Sequence, residues 1–346
     1  QLPASSPPLP PPSSPRSARP AAACSSHSPL QAMPVALGTD CSGMETPAMA
    51  LRNLGVEIDH VFSCDVNPHA KRTIMANFPP KIFYDDLTIR DNAQAPKADL
   101  YVAGFPCQPF SMAGRQQGFD DSRGRGTIFW HVRDYIDQRR PKAFVLENVS
   151  GLKKINKGKY FEAIMESLEA LGAYNIYSQV LDTKEHGVPQ SRPRIYIVGI
   201  KRSRDDGTFT FPEPVERPSI ELFLDPRTEE PSRTDLPPVS AGTARANVIR
   251  AIEELYKKGV DPLKVPYVVD CDSSGYRMKY IKDLTPCITC SRSQGHWVTN
   301  RMRRLNKDEL MRLQGMTPSS FHVAVSETQL GKQIGNAMSV NVLERL

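Results

Sequence analysis

From residue 35 onward, short apolar runs that stop at a glycine or an acid alternate with longer stretches of helical periodicity. VALGTD (35–40), HVFSCD (60–65), Leu100–Ala103 within ADLYVAG (98–104) and KAFVLENV (142–149) read as short buried strands. Between them, Met44, Ala48, Leu51 and Leu54 have helical spacing, and NPHAKRTIMANF (67–78) opens with a helix-starting Asn-Pro. Ile128, Val132, Tyr135 and Ile136 mark a further helix near 127–139. KYFEAIMESLEALG (159–172) turns Phe161, Ile164, Met165, Leu168 and Leu171 one way, with Gly172 as its expected C-cap. Strand, turn and helix in repeated order predict an α/β fold. YNIYSQVLDTKEHGVPQSRPRIYIVGI (174–200) reads as two strands joined by a turn. RLNKDELMRLQGM (304–316) reads as a helix with Asn306 as N-cap and Glu309 at the capping-box position. QIGNAMSVNVLERL (333–346) reads as a Gly-Asn turn that enters a helix.

Two stretches break this rhythm. Residues 1–34 are rich in Pro, Ser and Ala and hold no Asp or Glu, which predicts a disordered tail; a Ser-rich, acid-free segment also fits an organelle transit peptide. The chain opens on Gln, as a fragment of a longer protein would. Residues 201–300 are first proline-broken and polar, then helical over 246–259, then short strands and turns over 265–298. There Arg277, Lys279, Lys282 and Arg292 interleave with Tyr276, Tyr280 and Trp297, a mixture suited to phosphate and base contact; a solvated β-rich insertion has the same composition. The net charge of +6 permits a polyanion partner without demanding one. Seven scattered cysteines without a signal peptide predict reduced thiols inside a cell. Cys287 and Cys290 form a single CxxC without a second pair, so no metal is expected. No apolar run has the length of a membrane span.

The candidate chemistry lies at strand ends. Cys107, in GFPCQPFS (104–111), stands just past the strand that stops at Gly104, where open α/β sheets place their ligands. Glu147 and Asn148 end the 142–149 strand in the same way. If the two strands are neighbours, Cys107 and Glu147 face one pocket as nucleophile and proton donor. The Gly43 turn after the first strand begins a nucleotide-binding unit. Asp65, ending the second strand, either bonds a ribose diol, with Val66 against the adenine ring, or caps the following helix. Arg192 and Arg194 share one face of a strand start. They either organise Glu147 and bind a base oxygen, or form a surface pair. The polar, glycine-containing loop 112–130 is expected to be a lid over the nucleophile.

The motifs GFPCQPFS, FDDSRG, LENVSGL, QSRPRIYIVG, RLQGM and QIGNAMSVNVL occur in one order between residues 104 and 343. That series resembles the cytosine 5-methyltransferases, from about Val35 to the last residue. The resemblance implies a Rossmann-like seven-stranded methyltransferase sheet with a small, mostly irregular or β target-recognition domain. Residues 35–200 and 301–346 would form the catalytic domain, and 201–300 the target-recognition region. It implies a DNA (cytosine-5-)-methyltransferase that uses S-adenosyl-L-methionine, releases S-adenosylhomocysteine and acts on double-stranded DNA as a monomer inside the cell, in the nucleus if eukaryotic. Cys107 would add to carbon 6 of a flipped cytosine while Glu147 holds a proton at N3, with Arg192 and Arg194 beside them. The cofactor residues implied are Asp40, Gly43, Asp65, Val66, Asp86 at the adenine amino group, Gly104, Pro106, Asn336 and Ser339. Those implied for DNA are Gln108, Ser111, Arg123, Arg277, Lys279 and Arg292. Two features depart from the family pattern. The turn normally written Phe-x-Gly-x-Gly-Gly keeps only Gly43, with Glu45 and Thr46 in place of the later glycines, and SRGRGT carries an extra Arg-Gly. A tRNA cytosine methyltransferase would share the chemistry, but such relatives usually carry Pro-Pro-Cys, whereas Phe105 precedes Pro106 here. A catalytically silent nucleic-acid-binding protein is opposed by the presence of Cys107, Glu147 and Arg194. A Rossmann dehydrogenase lacks its Gly-x-Gly-x-x-Gly.

Overall fold

The apolar runs become a seven-stranded sheet in the computed structural model of the protein, which describes residues 33–106 and 127–346. Its strands are β1 (Val35–Asp40), β2 (Ile58–Cys64), β3 (Ile82–Tyr84), β4 (Leu100–Ala103), β5 (Ala143–Val149), β6 (Tyr174–Asp182) and β7 (Pro193–Lys201). They lie in the order β3-β2-β1-β4-β5-β7-β6. Neighbours among β1 to β5 are parallel, and β7 is antiparallel to both β5 and β6. The register brings the carboxyl ends into one row: Asp40 is level with Cys64 and Ala103, Cys64 with Tyr84, and Ala103 with Leu146. Because β7 runs the other way, its beginning joins that row, with Arg194 opposite Val149. Strand order reverses at β1 and β4, the switch point where such sheets bind ligands.

Helices α1 (Thr46–Asn53), α2 (Pro68–Asn77), α3 (Ile128–Arg139), α4 (Lys159–Glu169), α5 (Gly242–Lys257), α6 (Lys307–Arg312), α7 (Glu327–Asn336) and α8 (Val340–Leu343) complete the chain. Side chains alternate across the sheet, as the pleat requires. Tyr101, Ala103, Phe144 and Leu146 face a core shared with Phe129, Val132, Tyr135, Ile164 and Leu168 of α3 and α4. Leu37 and Val102 face the other core, shared with Ala48 of α1, Leu310 of α6, Ile334 of α7 and Val340 of α8. The two ends of the described chain therefore build one layer.

The second sheet has the order β11-β10-β8-β9, from β8 (Tyr267–Val269), β9 (Tyr280–Lys282), β10 (Trp297–Val298) and β11 (Arg303–Arg304). All its pairings are antiparallel, and α5 covers it through Val248, Ala251 and Ile252 against Val269 and Trp297. The sheet runs past residue 300, the expected end of the inserted region. Asn306 and Glu309 form the expected capping box at α6. Gly172, expected as the C-cap of α4, lies beyond it; the helix ends at Glu169 with Ala170 as its cap. Residues 333–336 are corrected most: QIGN is the last turn of α7 rather than a turn before a helix. Its glycines answer to packing. A Cβ on Gly331 would lie 2.2 Å from the Ser293 carbonyl oxygen, and one on Gly335 2.2 Å from the Thr289 carbonyl carbon. Among the described residues, no helix is long and apolar enough to cross a membrane, and no group of His, Cys, Asp and Glu is placed to hold a metal ion.

Candidate active site

Glu147, at the end of β5, is only 8% exposed. Arg194 reaches it from the start of β7, with Nε 3.1 Å from Glu147 Oε1. The chain leaving β4 passes close by. A Cβ on Gly104 would sit 2.8 Å from Met338 Cε and 3.8 Å from Glu147 Oε2, so glycine is what fits. Asn148 Nδ2 donates to the Phe105 carbonyl at 3.2 Å and ties this turn to β5. Pro106 is half-buried and directly precedes Cys107. Cys107, Gln108, Ser111 and Arg123, and the polar loop as far as residue 126, lie outside the described residues. A buried carboxyl against a guanidinium can hold and orient a proton on a ring nitrogen while the guanidinium meets a ring oxygen.

Arg192 does other work. It is 2% exposed, and its guanidinium donates to the carbonyls of Ile288 (2.6 Å), Gly335 (3.2 Å) and Ala337 (2.6 Å). It is a strut between segment 287–290 and the end of α7. Burial, and then the charge of Arg194, lower its pKa. The expected shared side of the two arginines does hold: Cys287 Sγ lies 3.7 Å from Arg192 Nη1 and 3.7 Å from Arg194 Nη2. Gln190 bonds to Gln314 Oε1 at 2.9 Å and accepts from the Ile288 amide at 3.0 Å. The QSRPR and RLQGM motifs thus touch one another.

The other end of the row carries acids held by neutral donors. Asp65 Oδ2 accepts from the Gly43 amide at 2.9 Å, and Oδ1 from the Asn67 amide at 2.8 Å. The N-cap of α2 is Asn67, which accepts from the His69 amide, so Asp65 is not the cap. Burial raises the Asp65 pKa against those two amide bonds. Beside it Val66 is 72% exposed, an apolar side chain on the open edge. Asp86 Oδ1 accepts from the amide and the hydroxyl of Thr88, each at 2.8 Å, while Asp85 pairs with Lys71 at the surface. Asn336 is exposed at the end of α7. Carboxylates for a diol and an exocyclic amine, with an exposed apolar side chain for a ring, fit S-adenosylmethionine in chemical type.

Two residues expected here are committed elsewhere. Asp40 is fully buried, its oxygens taken by Arg90 Nη1 and Nη2, each at 2.7 Å, and by the Tyr101 hydroxyl at 2.5 Å. Ser339 is buried with its hydroxyl bonded to Thr183 Oγ1 (2.6 Å) and Gln314 Oε1 (3.2 Å). Both side chains are buried and bonded within the protein. On the small sheet, Arg277 and Lys279 are exposed, and Tyr276 between β8 and β9 is 99% exposed. Arg292, half-buried, has an acidic partner. It grips Asp270 through Nε (2.5 Å) and Nη2 (3.1 Å), fastening the β8–β9 hairpin to segment 290–293. Sequence reading gave no site role to Arg90, Tyr101, Cys287 or the buried Glu45. Nothing local pairs Asp40 with Arg90; the one available signal was an acid, Glu45, where a glycine is usual.

The family model for C-5 cytosine-specific DNA methylases matches residues 41–346. The type II methyltransferase M.NgoBI of Neisseria gonorrhoeae is 35% identical over 287 residues, covering 82% of this chain and 84% of that protein. M.HpaII of Haemophilus parainfluenzae is 33% identical over 306 residues, covering 86% and 83%. Among solved structures, the Entamoeba histolytica methyltransferase EhMeth superposes with a TM-score of 0.66 at 16% identity, over 90% of this chain and 96% of that one. The S. pombe Dnmt2 methyltransferase gives 0.60 at 16% identity, over 90% and 96%. These two likenesses speak to the fold.

Proposed function

This chain belongs to the C-5 cytosine-specific DNA methylase family and is a DNA cytosine-5-methyltransferase; from that premise we propose that Cys107, Glu147 and Arg194 carry the reaction on a base flipped out of duplex DNA. The observation that carries this reading is the buried Glu147–Arg194 pair, 3.1 Å apart, beside the turn that leads into Cys107. A base stacked in a duplex does not reach a carboxyl so enclosed, so the nucleotide must swing out.

Carbon 5 of cytosine is a weak nucleophile. The Cys107 thiolate adds to carbon 6, forming an S–C6 bond and moving the ring electrons toward carbon 5. Glu147 holds a proton at N3, which lowers the cost of that addition, and Arg194 fixes the Glu147 carboxyl and meets the ring oxygen. Carbon 5 would form its new bond to the electrophilic methyl group that S-adenosylmethionine, the donor the family implies, would supply when bound, with S-adenosylhomocysteine as the leaving group. Gly43, Asp65, Val66, Asp86 and Asn336 would hold it. Loss of the carbon 5 proton then expels Cys107 and restores the ring. Gln108, Ser111 and Arg123, with Arg277 and Lys279 of the β8–β9 connection, would meet the duplex, giving residues 201–300 the reading task.

Duplex DNA containing 5-fluorocytosine tests this. Fluorine does not leave as a cation, so the Cys107 adduct should persist through denaturing electrophoresis. Cys107→Ser should form no adduct and lose turnover by more than about a thousand-fold while binding S-adenosylhomocysteine normally. A wild-type protein that traps no DNA, or that labels tRNA and not duplex DNA from tritiated S-adenosylmethionine, would overturn the reading.

A further inference from the structure

Glu45 stands where the family turn has glycine, and its backbone adopts the left-handed region glycine favours, with φ 56° and ψ 44°. A side chain in that conformation is strained by about 1 kcal/mol or more unless its surroundings hold it. Here they do. Glu45 is fully buried. Its Oε1 accepts from Thr39 Oγ1 of β1 at 2.7 Å and from Ser63 Oγ of β2. Thr39 Oγ1 also lies 2.8 Å from Ser42 Oγ, and Ser42 Oγ bonds the Cys64 backbone at both its carbonyl (3.1 Å) and its amide (3.2 Å). One carboxyl thereby ties the turn to the ends of two neighbouring strands. The next link is the Gly43 amide, which donates to Asp65.

A second residue shares the chamber. His60 Nδ1 lies 2.9 Å from the Phe78 carbonyl, which only accepts, so Nδ1 carries a proton. Its Nε2 points at Glu45 Oε1 from 3.6 Å, and neither Nε2 nor Glu45 Oε2 has a hydrogen-bond partner. Burial lowers the His60 pKa, leaving Nε2 a bare acceptor facing an acid.

We propose that Glu45 is the positioning residue of the cofactor turn: its buried carboxyl, clamped by Thr39 and Ser63 beside His60, sets the Gly43 amide against Asp65, in place of the conformational freedom of a glycine. The assignment rests on reading Asp65 as a cofactor contact. Glu45 touches no ligand; it acts through the turn.

The test compares wild type, Asp65→Ala, Glu45→Gly and Glu45→Gln by calorimetric titration with S-adenosylhomocysteine, alongside kcat and KM for the methyl donor. Asp65→Ala should weaken binding by about ten-fold or more, the effect of losing a charged acceptor. Glu45→Gly supplies the residue common in the family and removes the clamp. It should weaken S-adenosylhomocysteine and raise KM by about ten-fold while leaving kcat at saturation and duplex affinity within about three-fold. Glu45→Gln keeps the acceptor for Thr39 and Ser63 and offers an N–H to His60, so it should bind within about three-fold of wild type. Glu45→Gly binding as tightly as wild type overturns the proposal while Asp65→Ala still shows its loss. Should Asp65→Ala bind normally, the pocket reading falls and this proposal with it. If Glu45→Gly does not fold, Ser63→Ala removes one hydroxyl of the clamp. Its expected loss is about three-fold, and unchanged binding then overturns the proposal.

Discussion

The two ends of the strand-tip row hold their carboxyl groups in opposite ways. At the base end, Glu147 meets a guanidinium, and Cys287 lies between that arginine and a second one. At the cofactor end, Glu45 meets hydroxyls, Asp65 meets backbone amides, and Asp86 meets the amide and hydroxyl of Thr88. One end sets its carboxyl against a guanidinium; at the other, Glu45, Asp65 and Asp86 are held by neutral donors. An acid held this way still attracts a donor-rich, positively charged ligand, and a sulfonium bearing a diol and an amine is such a ligand. A balanced pair suits an uncharged ring that must be protonated at one nitrogen. On the proposed reading, the contrast gives one end of the row to binding and the other to reaction.

The division is tested most strongly at Glu147. Glu147→Gln should lower kcat by about a hundred-fold to ten-thousand-fold, the usual worth of a proton-transfer group, while S-adenosylhomocysteine affinity stays the same. A parallel loss of affinity would mean that the two ends are one electrostatic unit. The next test takes the exception at the cofactor end, the buried Asp40–Arg90 pair. Arg90 also lies over the rings of Phe62, Tyr84 and Tyr135. Arg90→Met strands the Asp40 charge and should cost about 3–5 kcal/mol in urea unfolding. Pairing it with Asp40→Leu should recover most of that loss, because the charge needing a partner is gone. A single-mutant cost under about 1 kcal/mol would show that Tyr101 alone satisfies Asp40.

The smallest effect is a pH dependence at Glu45. Burial, opposed by the Ser63, Thr39 and Ser42 hydroxyls, raises its pKa from 4.5 to about 7. Between those values the folded chain keeps a proton that the unfolded chain has released. Stability due to this group is thus present in acid and declines as pH rises toward 7, by about 3 kcal/mol in all. His60 and Asp65 are the titrating groups that face it. The lowered His60 pKa acts the other way, removing stability as pH falls below its usual value. Comparing Glu45→Gln with wild type isolates Glu45: the mutant should gain relative stability between pH 5 and pH 8. A constant difference across that range would contradict the raised pKa.

Much of this arrangement was legible in the chain. The apolar runs ending in Asp40, Asp65, Gly104 and Glu147 mark strand tips, and strands buried on both faces announce themselves by continuous apolar sequence. Arg194 was readable because it lies just inside a strand start. Arg192, two residues earlier, has the same local signal. Its use is decided by carbonyls of Ile288, Gly335 and Ala337, far away in sequence. The Asp40–Arg90 pair is hidden for the same reason. Helix α7 was missed because Gly331 and Gly335 lower helix propensity. Their reason for being there is a neighbouring backbone that periodicity does not reveal.

That close contact bears on how the proposed reading region could be exchanged between relatives. Segment 289–293 lies on α7 with no room for a Cβ, and Arg192 fastens the adjoining Ile288 to Gly335 and Ala337. A graft of foreign reading sequence with its downstream cut at residue 300 would carry off one half of this joint. The incoming backbone would have to match the α7 glycines atom for atom. A cut between Asp283 and Thr285 leaves that joint native, but the incoming hairpin must keep Asp270 and Asp272 for Arg292 and Arg304 and the β8 edge for β10. The fold thus separates sequence that can be traded from sequence that must travel with its own scaffold.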